Sequence, residues 1–288
     1  MSLPCTKIDA HLHLRFEDMT SQGSQCSHKE MTPYFGELNI AKGILMSAGE
    51  LLTKCAANEE NMEIVKADPE HYAWVCNPEP INPDTVYDAL KYYKEKGAVG
   101  VGELTCNLPL THPTLRALFD AAGKLGMPVT LHMSSAVGYS YGVVDEPKLP
   151  FLEQTLKDFP DTIFIGHSAC FWCEMSADSP ADMRERNRYP SGPVLPGGKI
   201  PELLEKYPNL YCDLSATSGG QAILRDEAHG LRFLERFSDR LLYATDLCQV
   251  GSVYPLGDWL DKKFLSGELS ENTYRKVCRE NAEKLYSI

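Results

Sequence analysis

Eight short apolar runs recur along the chain. They are KIDAHLHL (7–14), IAKGILMSA (40–48), YAWVCNP (72–78), AVGVGEL (98–104), PVTLHM (128–133), TIFIGHS (162–168), LYCDLS (210–215) and LLYATD (241–246). Most have the length and the β-branched or aromatic content of buried strands. The stretches between them read as helices. TVYDALKYYKEKG (85–97) stops on Gly97; THPTLRALFDAAGKLG (111–126) opens on Thr111, a suitable N-cap, and stops on Gly126. KIPELLEKYP (199–208), EAHGLRFLERF (227–237) and ENTYRKVCRENAEKLY (271–286) follow the same habit. Strand and helix alternating eight times predict parallel strands joined by right-handed crossovers. Eight such units close into an α/β fold of the (β/α)8 TIM-barrel type.

Two segments break the rhythm. Residues 15–39 are polar without a clear period, and residues 168–200 are rich in Pro, Gly, Ser and charge. Loops this long are usually functional or disordered. Both leave the C-terminal ends of predicted strands, the face on which barrel enzymes place their active sites.

Strand ends are also where the chemistry gathers. Residues i and i+2 of a strand share a face, so His11 and His13 are expected to point into the barrel, with Leu12 toward the helices and Asp9 one step deeper on the histidine face. Glu103, His132, His167 and Asp246 stand near the ends of the fourth, fifth, sixth and eighth runs. Parallel strands bring those ends to one mouth, where imidazoles and carboxylates can converge on a metal ion. Singly, each has a plainer explanation: a hydrogen-bonded core histidine, a helix N-cap, a solvated glutamate. Together, four histidines and two carboxylates at corresponding strand ends point to a site, since buried ionisable groups are costly unless compensated.

Composition narrows the partners. The chain has 288 residues, 43% of them hydrophobic, and a net charge of -12. That length suits one barrel domain over residues 1–288. An acidic chain repels phosphate backbones, and its one basic cluster is the short RERNR of Arg184, Arg186 and Arg188, so no nucleic-acid partner is expected. Ten scattered cysteines form no disulfide pattern, and there is neither a signal-peptide pattern nor an apolar run of membrane-spanning length. A cytoplasmic protein with free thiols and no membrane partner is the expectation. Homo-oligomerisation is compatible with the fold.

Weaker signals sit in the loops. CFWC (170–173) lacks a second pair and reads as packing thiols around Trp172, which could line the pocket. Arg184 and Arg186 could clamp a substrate carboxylate through their planar forks, although such runs are more often solvated. Tyr139 and Tyr141 follow His132, and Tyr141 is a candidate substrate contact. Asp213 and Ser215 could orient ligands from the seventh strand. PGGK (196–199) lacks the spacing of a phosphate loop. His28 is expected to be exposed.

IDAHLHL, GELTCN, LPLTHPTLRALFDAAGKLGMPVTLHM, FIGHS, LLYATD and ENAEKLYSI, in that order across the chain, resemble the amidohydrolase superfamily. The branch most similar is the amidohydrolase-related one that includes the aminocarboxymuconate semialdehyde decarboxylase type. The resemblance implies a barrel holding one or two divalent metal ions, zinc foremost. It implies His11, His13 and His132 as ligands, Asp246 as the eighth-strand residue, and His167 as a second-metal ligand or an acid/base. Many two-metal members carry a carbamylated lysine on the fourth strand. Glu103 stands there instead, as in TatD-type members that bridge metals with a glutamate. The expected chemistry is hydrolysis of an amide, lactone or ester-like bond in a small polar molecule, with Asp246 handling the proton. The alternative is nonoxidative decarboxylation on the same site. A TatD-like nuclease or an inactive ligand-binding barrel is less favoured.

Overall fold

The computed structural model describes residues 2–17, 25–49, 51–52 and 55–288. Its strands are β1 (Lys7–Leu12), β2 (Ile40–Met46), β3 (Tyr72–Cys76), β4 (Ala98–Leu104), β5 (Val129–Ser134), β6 (Val143–Val144), β7 (Phe164–His167), β8 (Leu210–Asp213) and β9 (Leu241–Leu242). All but β6 form one parallel sequence β1-β2-β3-β4-β5-β7-β8-β9, and β6 pairs with β5 alone. These eight strands fall in the eight apolar runs. The ladder of β9 is short because its run continues onto β1. The Ala10 amide donates to the Tyr243 carbonyl (3.0 Å), Asp246 to His11 (2.9 Å) and His13 to Leu247 (3.0 Å). Those bonds close the (β/α)8 barrel.

Two apolar layers follow from the strand alternation. Ile8, Ala10, Ile44, Met46, Ala73, Val75, Ile165, Leu242 and Ala244 pack together from strands on opposite sides, which is possible only across the barrel interior. Ala282 and Tyr286 of the C-terminal helix Asn281–Tyr286 join them. Leu12, Leu45, Trp74, Val101, Leu131, Phe164 and Leu210 belong to the larger layer between strands and helices.

Two strands depart from strict alternation. In β1, Ile8 and Ala10 face the interior while Leu12, of the same parity, packs against the helices. The pairing with β2 slips by one residue between Asp9 and Leu12, the mark of a β-bulge. The bulge turns His11 and His13 to the interior above Ala10. It also corrects the expected place of Asp9, whose carboxylate does not join the imidazoles but accepts from the His11 main-chain amide (3.2 Å). Its buried carboxylate accepts from the Thr245 amide (2.9 Å) and hydroxyl, so that it joins β1 to the run after β9. In β4, Ala98, Val101 and Leu104 all face the helices at spacings of three, with register shifts against both neighbours. Gly102 sits at φ +131°, and a Cβ there would come within 2.9 Å of the Thr130 carbonyl oxygen. Glycine is required at this turn, which directs Glu103 inward.

The long loops hold more structure than their polarity suggested. Ser27 starts a helix over His28–Leu38 with a reciprocal capping box to Glu30, inside the stretch expected to be loop. Residues 18–24 of that stretch lie outside the described residues. The segment after β7 contains short helices at Ala169–Trp172 and Met183–Arg186. The helix Pro113–Leu125 is capped by His112 rather than Thr111. No helix among the described residues is long and apolar enough to cross a membrane. Among the described residues no two cysteines are bonded, and the thiol of buried Cys173 donates to the Cys170 carbonyl (3.2 Å).

Candidate metal centre

All six strand-end residues meet at the mouth. Their donor atoms form three overlapping groups: His11, His13 and Glu103; His11, His167 and Asp246; and Glu103, His132 and His167. The Nε2 atoms of His11 and His13 are 3.2 Å apart. Asp246 Oδ1 lies 3.7 Å from the first and 3.4 Å from the second. Glu103 Oε2 lies 3.9 and 3.4 Å from the same two atoms. Tetrahedral ligands with bonds of about 2.1 Å stand roughly 3.4 Å from one another. The His11–His13 pair therefore stands at ligand-like separations from Glu103 on one side and from Asp246 on the other.

Glu103 also faces the other way. Its Oε1 contacts His132 Nδ1 and lies 3.4 Å from His167 Nε2. One carboxylate thus presents one oxygen to the His11–His13 pair and the other to the His132–His167 pair. His132 and His167 are register partners on adjacent strands, which places both imidazoles at one height. The Glu103 main chain is fixed too, since buried Asn77 donates to its carbonyl (2.7 Å).

A supporting layer sets the imidazoles. Asp213, 1% exposed, lies with Oδ2 2.7 Å from His11 Nδ1 and Oδ1 3.6 Å from His167 Nδ1. The Ser215 hydroxyl is 2.9 Å from His167 Nδ1. A partner on Nδ1 fixes the tautomer that leaves Nε2 free to ligate. Asp246 occupies the left-handed region at φ +61°, held by its amide bond to the His11 carbonyl. Its side chain is 29% exposed, the most open of the six.

The electrostatics agree with a cation site. Burial works to discharge the imidazole of His167, yet Asp213, Glu103 and Asp246 push its pKa up to about 9. Burial likewise opposes charge on His13, but Cys55, Glu103 and Asp246 raise its pKa well above the ordinary value. Burial also opposes the charge on Glu103, whereas His132, His13 and His167 hold its carboxyl well below the usual range. Burial lowers His132, with His167 adding to the effect. Three carboxylates thus set up a negative field that draws protons onto imidazoles. Neutral histidines and a divalent cation satisfy the same field.

The other candidate residues separate. The Tyr141 ring lies 4.4 Å from that of His132 and is 42% exposed, at the mouth. Arg184 is exposed on the helix Met183–Arg186. Two residues expected to touch substrate do not have the faces to do so. Trp172 is wholly buried, its indole donating to the Asp213 carbonyl (3.1 Å). Arg186 is 1% exposed and donates to the carbonyls of Asp145 (2.8 Å) and Glu146 (3.1 Å). His28, expected to be exposed, is buried and stacks on Phe16 at 5.3 Å. Asn77 was missed. Its one sequence signal was its place at the end of the third apolar run.

A parallel barrel with a ligand cluster at its C-terminal mouth defines the class of metal-dependent barrel proteins. Within it, the amidohydrolase family matches residues 8–288, and the chain belongs to that family, which uses divalent metals. No curated protein matches the chain significantly. Solved structures with the same fold include 2,6-dihydroxybenzoate decarboxylase from Rhizobium, at 14% identity and a TM-score of 0.62, covering 98% of this chain and 99% of that one. The 5-carboxyvanillate decarboxylase of Novosphingobium aromaticivorans, complexed with manganese and 4-hydroxy-3-methoxy-5-nitrobenzoic acid, shares 13% identity at a TM-score of 0.64 and covers 99% and 97%. A probable 2-pyrone-4,6-dicarboxylic acid hydrolase from Acinetobacter baumannii, with citric acid bound, shares 13% at 0.60 and covers 98% and 100%.

Proposed function

We propose that the protein is a metal-dependent hydrolase acting on an amide, lactone or ester-like bond of a small polar molecule. His11, His13, Glu103 and Asp246 would hold one divalent ion, and Glu103, His132 and His167 a second. Nitrogen and carboxylate donors in this ratio suit zinc, and also manganese. Bound there, such ions supply an acidified water and polarise the substrate carbonyl. The chain's own part falls to Asp246. Its carboxylate, the most open of the six, takes the proton as water oxygen bonds to the carbonyl carbon. It returns that proton to the leaving nitrogen or oxygen as the old bond breaks. Asp213 and Ser215 keep His11 and His167 in the ligating tautomer, and the Tyr141 ring offers a wall beside His132.

The observation that carries the reading is Glu103, whose two oxygens face two histidine pairs. A carboxylate shared in this way favours two ions, and two ions suit displacement by water. Elemental analysis of protein purified without chelators is expected to give about two metals per chain. Amide, lactone and ester panels should then show turnover restored by Zn²⁺ or Mn²⁺. Less than about half a metal per chain, with no activity regained on adding either ion, refutes the proposal. Carbon dioxide release from an aromatic or conjugated acid would instead establish the decarboxylase alternative, which the same fold accommodates in the Rhizobium and Novosphingobium enzymes.

A further inference from the structure

Four imidazoles meet at the barrel mouth, and three of them have a partner on Nδ1. His11 has Asp213 at 2.7 Å, His167 has the Ser215 hydroxyl at 2.9 Å, and His132 has Glu103. His13 is the exception. Its Nε2 faces His11, Glu103 and Asp246, while its Nδ1 is shut off from solvent and forms no hydrogen bond among the described residues. An imidazole that ligates through Nε2 carries its proton on Nδ1, and a buried N–H without an acceptor is costly.

A thiol lies beside that ring. Cys55, half-buried between β2 and the helix Asn58–Ala67, is close enough to act on the His13 imidazole, although no bond to Nδ1 is formed. The thiol is held from two sides. The side-chain amide of Gln25, 7% exposed, donates to Cys55 Sγ at 2.9 Å, and the Cys55 main-chain amide donates to the Leu52 carbonyl at 2.9 Å. Oε1 of Gln25 is buried without a partner among the described residues, so this buried amide is committed to the one sulfur. A thiol that only filled space would not call for a buried amide aimed at it.

We propose that Cys55 is the positioning residue for His13, its sulfur accepting the Nδ1–H when Nε2 ligates, with Gln25 keeping the sulfur in place. The inference rests on the metal centre proposed above. It gives His13 the support that Asp213 and Ser215 give His11 and His167. A thiol sulfur is a weak acceptor, so it orients the ring without adding another carboxylate to a site that already holds Glu103, Asp213 and Asp246.

The test uses the full chain loaded with Co²⁺. Cys55→Ala and Cys55→Ser are compared with wild type, and Cys26→Ala is the control, because the Cys26 sulfur meets the Val250 main chain instead. Chelator competition is expected to show one metal equivalent weakened about tenfold in Cys55→Ala. Cys55→Ser, whose hydroxyl oxygen restores an acceptor, should stay within about threefold of wild type, and Cys26→Ala should be unchanged. Lost packing alone would not be rescued by serine, which fills no more space than alanine needs. Proton NMR reads the bond itself. An Nε2-ligated histidine shows its Nδ1–H as a paramagnetically shifted, exchangeable signal, and one such signal should persist in wild type and Cys55→Ser but vanish by fast exchange in Cys55→Ala. Should Cys55→Ala fail to fold, Gln25→Met, which frees the sulfur, should weaken the same equivalent. Unchanged affinity and signals in Cys55→Ala, or equal losses in the alanine and serine variants, overturn the inference. So does a sulfur-to-cobalt charge-transfer band in the wild type, which would make Cys55 a ligand itself. These outcomes leave the metal centre standing, whereas a wild type that takes up no Co²⁺ refutes the centre and the role of Cys55 together.

Discussion

Asp213→Asn offers a direct test of how the metal centre is held. The wild-type carboxylate is buried and lies 2.7 Å from His11 Nδ1, with its other oxygen 3.6 Å from His167 Nδ1. The substituted amide keeps the shape and can still accept from the Ser215 amide, now 2.7 Å away. It loses the charge that pulls the Nδ1 proton and makes Nε2 a stronger donor to metal. A hydrogen bond to a charged group contributes about 1.5–3 kcal/mol, which corresponds to roughly 10- to 150-fold in affinity. Loss of such supporting partners in metal sites costs about 10- to 100-fold. Chelator competition for Zn²⁺ or Mn²⁺ at neutral pH should therefore show the tighter equivalent weakened at least about tenfold. Ser215→Ala is the internal control, because it touches only His167, at 2.9 Å. Removing that neutral bond should weaken one equivalent by no more than about tenfold and leave the other unchanged. An Asp213→Asn protein that binds both equivalents within about threefold of wild type would refute the argument that Asp213 positions the imidazoles.

Three other outcomes follow from the same geometry. Asp246→Asn should retain the fold and lower turnover by about 10²- to 10⁴-fold in a steady-state assay, whereas near-normal turnover would assign the proton to another group. Arg186→Met should destabilise the protein by about 1–3 kcal/mol in urea, because it removes the donor to the Asp145 carbonyl and one of the donors to the Glu146 carbonyl, while Glu174 keeps its bonds from the Lys148 amide and the Ser179 hydroxyl. Its folded fraction should keep normal kcat/KM, and a selective rise in KM would return Arg186 to the substrate. Glu153, bonded to Lys199, Lys206 and Tyr207, has its pKa held down at about 2 from an ordinary 4.5. Because the folded value is the lower one, this cluster stabilises the fold above pH 4.5 and loses that contribution as the pH falls toward 2. Solvent screening of so open a group limits it to about 1 kcal/mol. The urea midpoints of wild type and Glu153→Gln should thus differ at pH 6, draw together below pH 4.5 and converge only near pH 2.

The barrel and its six mouth residues were legible because both depend on simple periodicities. Buried parallel strands read as continuous apolar runs, and the fold brings their ends together whatever the sequence distance, as with His11 and Asp246. Reading failed where local geometry overrode period. The helix His28–Leu38 contains Pro33, which argued against a helix there, although Met31, Tyr34, Phe35 and Leu38 stand at helical spacing and Ser27 and Glu30 at capping-box spacing. Trp172 and Arg186 were placed near substrate because they lie in a long loop after the strand that ends in His167. Short helices within that loop turn both inward, and nothing in SACFWCEMSADSPADMRERNR has a period that reveals it. Asp9 was misplaced because strict alternation was assumed in a strand that does not keep it.

That irregular strand makes the centre depend on chain length as well as on residue type. With regular alternation, β1 could direct Ile8 and Ala10 inward, or His11 and His13, but not both pairs. The bulge lets one face be oily at the floor and ligating at the rim. Removing one residue at Ala10 would leave the motif HLH intact and the imidazoles still facing inward. They would sink by one residue, about 3.3 Å, below Glu103 and Asp246. Ligand distances in metal sites tolerate only about 0.2 Å. A chain one residue shorter in β1 would keep every functional side chain by identity and lose the centre by position.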